Sequence, residues 1–262
     1  MLRSWVIAAV GLMHVACLVG AEEKKEDEKQ PEPPVARMLT PLIIPTGSNL
    51  TMRVRGDFLD KAHAMLLESD AGSQRFDLKE KKGGIDAVKG FDNKDIGGTM
   101  CLAEVTIPVE WSGKPFTVKV LADAGESECL SGQVAGENDR PEHEPNAGFQ
   151  QAQAVELNQT VYGSIENDKD VDVFSLSLKA NQRVRISVRA HAGTAVLDPL
   201  VTLYDAQGVQ VDWQDDVGFQ RDPNFVFDPA AEGDWFIVVQ DAHRLGGEWH
   251  AYVLAVSEER RP

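Results

Sequence analysis

Residues Arg183-Val184-Arg185-Ile186-Ser187-Val188-Arg189 alternate polar and apolar side chains without a break. A strict period of two marks a half-buried strand, because successive side chains leave an extended backbone on opposite faces. The pattern recurs along the chain. Leu50, Met52 and Val54 alternate with polar residues, and residues 102–109 and 116–121 do the same. Residues 198–208 read as a strand closed by a turn, and 249–256 as the last strand. Gly233-Asp234-Trp235-Phe236-Ile237-Val238-Val239 is apolar on both faces, as a central strand must be. Short strands with turns roughly every ten residues predict an all-β chain built from two sandwiches in tandem.

Composition divides the chain. Residues 1–21 carry Arg3, an apolar run interrupted by Gly11 and His14, and Val19-Gly20-Ala21 at a cleavage position, which predicts a signal peptide. The apolar run is too short for a membrane span. Cys17 after Ala16 offers a lipid anchor as an alternative, although His14 stands where such sites carry an aliphatic residue. An exported protein is expected, placed in the periplasm, on the cell surface or outside the cell. Residues 22–37 are charged and proline-bearing, with too little apolar surface to order themselves, so they read as a tether. The first sandwich is expected over 38–123, a linker rich in Asp, Gly, Ser and Glu over 124–140, and the second sandwich over 141–258. Residues 79–99, rich in Lys, Gly and Asp, read as a long loop.

Cys101 and Cys129 remain after export. They either pair, closing a loop for roughly 3 kcal/mol on a chain-entropy view, or stay as small hydrophobes. A formal charge of −16 argues against nucleic acid and against adhesion to an anionic membrane. It favours divalent cations.

Two acidic clusters open the second half: Glu142-His143-Glu144-Pro145-Asn146, then Asp168, Asp170 and Asp172. Carboxylates at this density need a cation or open water. If residues 168–172 are extended, the three Asp share one face and Lys169 takes the other. A further patch, Asp212, Asp215, Asp216 and Asp222 around Trp213 and Phe219, reads as a solvated loop or a second cation site. Trp213 continues the alternation of Val209 and Val211, which places it in the core or at its rim; stacking on a sugar is the other reading. Arg183, Arg185 and Arg189 form a stripe that is either solvated through local ion pairs or open to an acidic polysaccharide. His63, His143, His191, His243 and His250 show no metal spacing, and there is no nucleophile elbow or phosphate loop. The chain is therefore not expected to be an enzyme, with a hydrolytic site assembled only in space as the alternative.

The order Glu144-Pro145-Asn146, Gly163, Asp170-Val171-Asp172-Val173-Phe174, Leu197-Asp198-Pro199, Leu203-Tyr204-Asp205-Ala206-Gln207-Gly208, Gly233-Asp234-Trp235 and Trp249-His250-Ala251-Tyr252-Val253-Leu254 resembles the bacterial pre-peptidase C-terminal domain. The resemblance covers nearly all of residues 141–257. It implies a jelly-roll-like sandwich that accompanies secreted enzymes, is often removed during maturation and is not catalytic. Some relatives, the collagen-binding domains of clostridial collagenases, bind calcium where the leading linker meets the first strands. The matching positions here are Glu142, Glu144, Asn146, Asp170 and Asp172, with Asp168 as a substitute donor. Ala147 and Lys169 depart from that pattern, so backbone or water must complete the six to eight oxygens calcium takes. In the first half, the turn and strand of residues 45–59 resemble the start of an immunoglobulin-like IPT/TIG module. The expected function is an exported, non-catalytic binding or accessory module stabilised by calcium, with a protein or polysaccharide partner. A structural adaptor for a separate secreted enzyme is the second reading.

Overall fold

The computed structural model describes residues 30–190, 196–216, 218 and 220–260. The expected signal peptide, Cys17 and most of the tether lie outside these residues. Among the described residues no helix is long and apolar enough to cross a membrane.

The first half contains β1 (Val35–Thr40), β2 (Ile43–Ile44), β3 (Asn49–Asp57), β4 (Ala62–Ser69), β5 (Gly72–Asp77), β6 (Glu80–Gly83), β7 (Thr99–Thr106), β8 (Pro115–Ala122), β9 (Gly125–Glu126) and β10 (Leu130–Val134). One sheet has the order β1-β3-β7-β6; the other runs β2-β10-β8-β4-β5, with β9 paired to β8. With β1 as strand A and β10 as strand G, the sheets read A-B-E-D and A′-G-F-C-C′. This is the immunoglobulin arrangement. Between the sheets lie Met52, Val54, Met65, Leu67, Trp111 and Phe116, all almost inaccessible. Gly132 on β10 is required by that packing, since a Cβ there would meet the Phe116 ring at 2.3 Å.

The second half contains β11 (Asp139–Pro141), β12 (Gln153–Ala154), β13 (Gln159–Ser164), β14 (Val171–Leu178), β15 (Val184–Arg189), β16 (Pro199–Asp205), β17 (Gln210–Gln214), β18 (Asn224–Phe227), β19 (Gly233–Asp241) and β20 (Ala251–Glu258). Its sheets run β11-β13-β20-β15-β18 and β12-β14-β19-β16-β17. Phe174 and Leu176, Val184 and Ile186, and Val201 and Leu203 turn inward in pairs two residues apart, as alternation requires. β19 lies between β14 and β16, the central place its two apolar faces predicted.

Several expectations need correction. The region 124–140 is not a linker: β9 and β10 complete the first sandwich and β11 begins the second. Its polar composition hid strands that bury only a few side chains, Leu130 and Val134 among them. The tether ends earlier than expected, because Val35 and Ala36 already pair with β3. The long loop contains β6, an exposed strand held by its ladder with β7, and a helical turn, α1 (Asn93–Ile96). Cys101 faces the first core and Cys129 is exposed, and both are free thiols. Burial pushes the Cys101 thiol up to about 12, so it behaves as a hydrophobe.

Candidate metal centre

The centre forms where β11 leads into the second sandwich and β14 begins. Asp172 occupies the core face of β14, two residues before Phe174, and is wholly buried. A carboxyl group on a core face needs partners from across the sandwich. Tyr252 on β20 supplies one: its hydroxyl lies 2.7 Å from Asp172 Oδ2 and 2.8 Å from Glu142 Oε2. That hydroxyl carries one hydrogen, so it donates to one carboxyl while the other contact needs a hydrogen from the acid. Burial, with Glu142 next in weight and Asp170 and Glu144 behind it, pushes the Asp172 carboxyl up to about 9. Burial also raises the Glu142 carboxyl.

Glu142 follows β11 and continues its ladder, donating its N–H to the Tyr162 carbonyl at 2.9 Å. Its Oε1 accepts the Ser164 N–H at 2.6 Å. The carboxylate lies directly over Gly163, where a Cβ would meet it at 1.9 Å. Any side chain at residue 163 would push Glu142 away. Glu142 therefore sits behind Asp172, held by β13 and by Tyr252.

Glu144, Asp170 and Asp172 each offer a carboxylate oxygen within 4.8 Å of the other two. Glu144 Oε2 accepts the Asn146 N–H at 2.8 Å, and the Asn146 carbonyl accepts the Val173 N–H at 3.0 Å. The peptide between Glu144 and Pro145 is cis. These contacts bring the 142–146 segment against the start of β14. The Asn146 side chain is wholly buried, and neither its oxygen nor its nitrogen has a hydrogen-bond partner; Asp172 Oδ1 is likewise buried and without one. Orphaned polar atoms of this kind are rare in a folded core and call for an explanation.

The geometry does not place all six expected residues alike. Asp168, Asp170 and Asp172 do not share one face of a strand, because β14 begins only at Val171. Before it the chain turns: the Asp170 N–H donates to the Asn167 carbonyl at 3.1 Å, and Lys169 is left-handed with φ 69. The turn throws Asp168 outward, where it pairs with Lys89. Asp170 stays with the cluster, its two oxygens accepting the N–H groups of Glu166 and Val171. Gly163 and Tyr252 were missed as site residues. The sequence shows both, but nothing in it brings Tyr252 to residues 80 and 110 positions away.

Elsewhere, Asp215 and Asp216 gather with Asp198, not with Asp212 and Asp222. Asp212 accepts its neighbour Trp213's own N–H, and Asp222 accepts the Ala190 N–H. Trp213 is 58% exposed, with Val209 and Val211 also exposed, and belongs neither to the core nor to its rim. Trp213 stands opposite Thr202, on the face turned away from Val201 and Leu203, which line the core. Arg185 makes a two-pronged pair with Glu259 at 2.9 Å, so part of the arginine stripe is internally neutralised.

No family model matches the chain, and no curated protein does. Among solved structures, the chain is similar to the pre-peptidase C-terminal domain of a collagenase from Bacillus anthracis. The identity is 20%, over 44% of this chain and 99% of that one, with a TM-score of 0.33. It is similar to the secreted serine protease VesC from Vibrio cholerae at 8% identity, over 87% of this chain and 51% of that one, with a TM-score of 0.29. A third similar structure is the C-terminal domain of the Streptococcus pyogenes antigen I/II-family protein AspA. It is 8% identical, over 87% of this chain and all of that one, with a TM-score of 0.25.

Proposed function

We propose that this chain is an exported, non-catalytic accessory module whose second sandwich is stabilised by a calcium ion held by Glu144, Asn146, Asp170 and Asp172. The observation that carries this reading is the wholly buried Asn146 side chain and Asp172 Oδ1, both without a hydrogen-bond partner, beside two more carboxylates. All the donors are hard oxygens, with no thiolate or imidazole among them, which suits calcium or magnesium better than zinc or copper. The ion would supply positive charge that lets Asp172 ionise in a buried place. Glu142, Tyr252 and Gly163 would orient the carboxylates behind it.

Thermal unfolding with chelator and with excess calcium tests the proposal. Ligand at about a hundred times its dissociation constant stabilises the native state by about 2.7 kcal/mol, which raises the melting temperature. Superimposable melts in the two conditions, with no heat of calcium binding, would remove the ion. Glu144→Gln and Asp172→Asn should each abolish the calcium-dependent rise.

A second observation supports a docking role. Val209, Val211 and Trp213 are exposed on or beside the edge strand β17, and Phe149 nearby is 40% exposed while stacked on Phe236. An exposed apolar strip on an otherwise acidic surface is where a protein or polysaccharide partner would sit. A pull-down from envelope extract should lose its captured partner with Trp213→Ser.

A further inference from the structure

The turn that carries Asp170 is clamped to a loop that reaches the first sandwich. The Lys169 N–H donates to the Arg244 carbonyl at 3.0 Å, and the Gly247 N–H donates to the Ile165 carbonyl at 2.8 Å. Gly246 approaches the turn so closely that a Cβ would stand 2.1 Å from the Asn167 carbonyl oxygen. Only glycine permits this contact, so the two segments pack as one piece. A few residues on, the same loop presents Glu248 and Trp249 to the first sandwich. Trp249, 4% exposed, packs with Met38, Ile96 and Met100, and Glu248 lies 3.6 Å from Arg53. The turn itself makes a direct crossing through the pair of Asp168 with Lys89.

We propose that calcium binding at Glu144, Asn146, Asp170 and Asp172 is coupled to the docking of the first sandwich, through the turn at 167–170 and the loop at 242–250. The inference rests on the calcium reading above. Without the ion, nothing in the centre bridges the oxygens of Glu144, Asp170 and Asp172 at the base of the turn. An ion that gathers them fixes the turn, and the turn fixes the loop that holds Trp249 against Ile96. Coupling between two sites is reciprocal: whatever loosens the joint weakens calcium by the same factor.

The test uses the full chain and two neutral variants outside the proposed ligand set, Ile96→Ala and Trp249→Ala, so that no charged side chain changes. Calcium affinity is measured by calorimetry, and hydrogen exchange is followed with and without calcium. Coupling predicts a fall in affinity of about fivefold or more in each variant. It also predicts calcium-dependent protection of amides at 93–98 and 244–250 in the unaltered chain. If calcium binds but affinity is unchanged in the variants and 93–98 gains no protection, the coupling is overturned while the site stands. If the unaltered chain gives no binding heat, the site fails and the coupling with it. Should Trp249→Ala not fold, Ile96→Ala and the exchange data on the unaltered chain still decide.

Discussion

Asp172 concentrates the chemistry of this molecule into one side chain. It lies on the core face of a strand, within reach of Tyr252 and two other acids. Its folded carboxyl is raised to about 9, above the roughly 3.9 of an unfolded aspartate. The folded chain therefore binds the proton more tightly than the unfolded chain does. This contribution to stability is complete below about pH 4 and is lost as pH rises towards 9. In chelator, the melting temperature should fall between pH 5 and pH 8, and excess calcium should flatten that fall. Asp172→Asn should shrink the slope, leaving the part due to Glu142, and remove the calcium effect, and at pH 8 in chelator should stabilise by about 1–3 kcal/mol, because the amide needs no charge. Gly163→Ala tests the layer behind. Its methyl group would displace the Glu142 carboxylate, so calcium affinity should drop by at least about tenfold, within the range expected for outer-shell partners of a metal.

At the scale of the element, β16 and β17 show how neighbours in one sheet differ. Leu203 on β16 is wholly buried, whereas Trp213 on β17 is mostly exposed. Leu203→Ala should cost about 2–5 kcal/mol in denaturant unfolding, and Trp213→Ser should stay within about 0.5 kcal/mol. A large loss from Trp213→Ser would mean that β17 is a packed strand. Strands with one clean buried face, such as β3 and β15, were legible because alternation survives wherever one face is core. β6 was not legible, since all four of its residues are exposed and its order comes from the ladder with β7. β17 misled because its apolar side chains lie at an exposed sheet edge, with Trp213 opposite the outward Thr202. β10 was hidden by Gly132, a residue that looks like a turn signal but is needed to let Phe116 lie flat.

The two sandwiches are not separate beads on a string. Residues from Glu32 onward form one compact unit. Leu42 and Ile43, at the corner between β1 and β2 of the first sandwich, pack into the core of the second. Leu42→Ala should therefore lower the unfolding stability of the second sandwich by about 2–5 kcal/mol, read from probes such as Trp235, although the residue lies at the other end of the chain. An effect confined to the first sandwich would show that the two cores unfold independently.

Local alternation sufficed to make this an all-β chain, because each strand needs only its own side chains to present one apolar face. The crowding of acids along residues 142–146 and 168–172 was equally plain, since it is written in the order of the residues themselves. Which of those acids meet is another matter. A left-handed Lys169 swings Asp168 away, a cis peptide bond precedes Asn146, and a tyrosine from the opposite sheet holds Asp172. Those contacts depend on how two sheets face each other and how one turn is handed, and no spacing along a single strand carries that information.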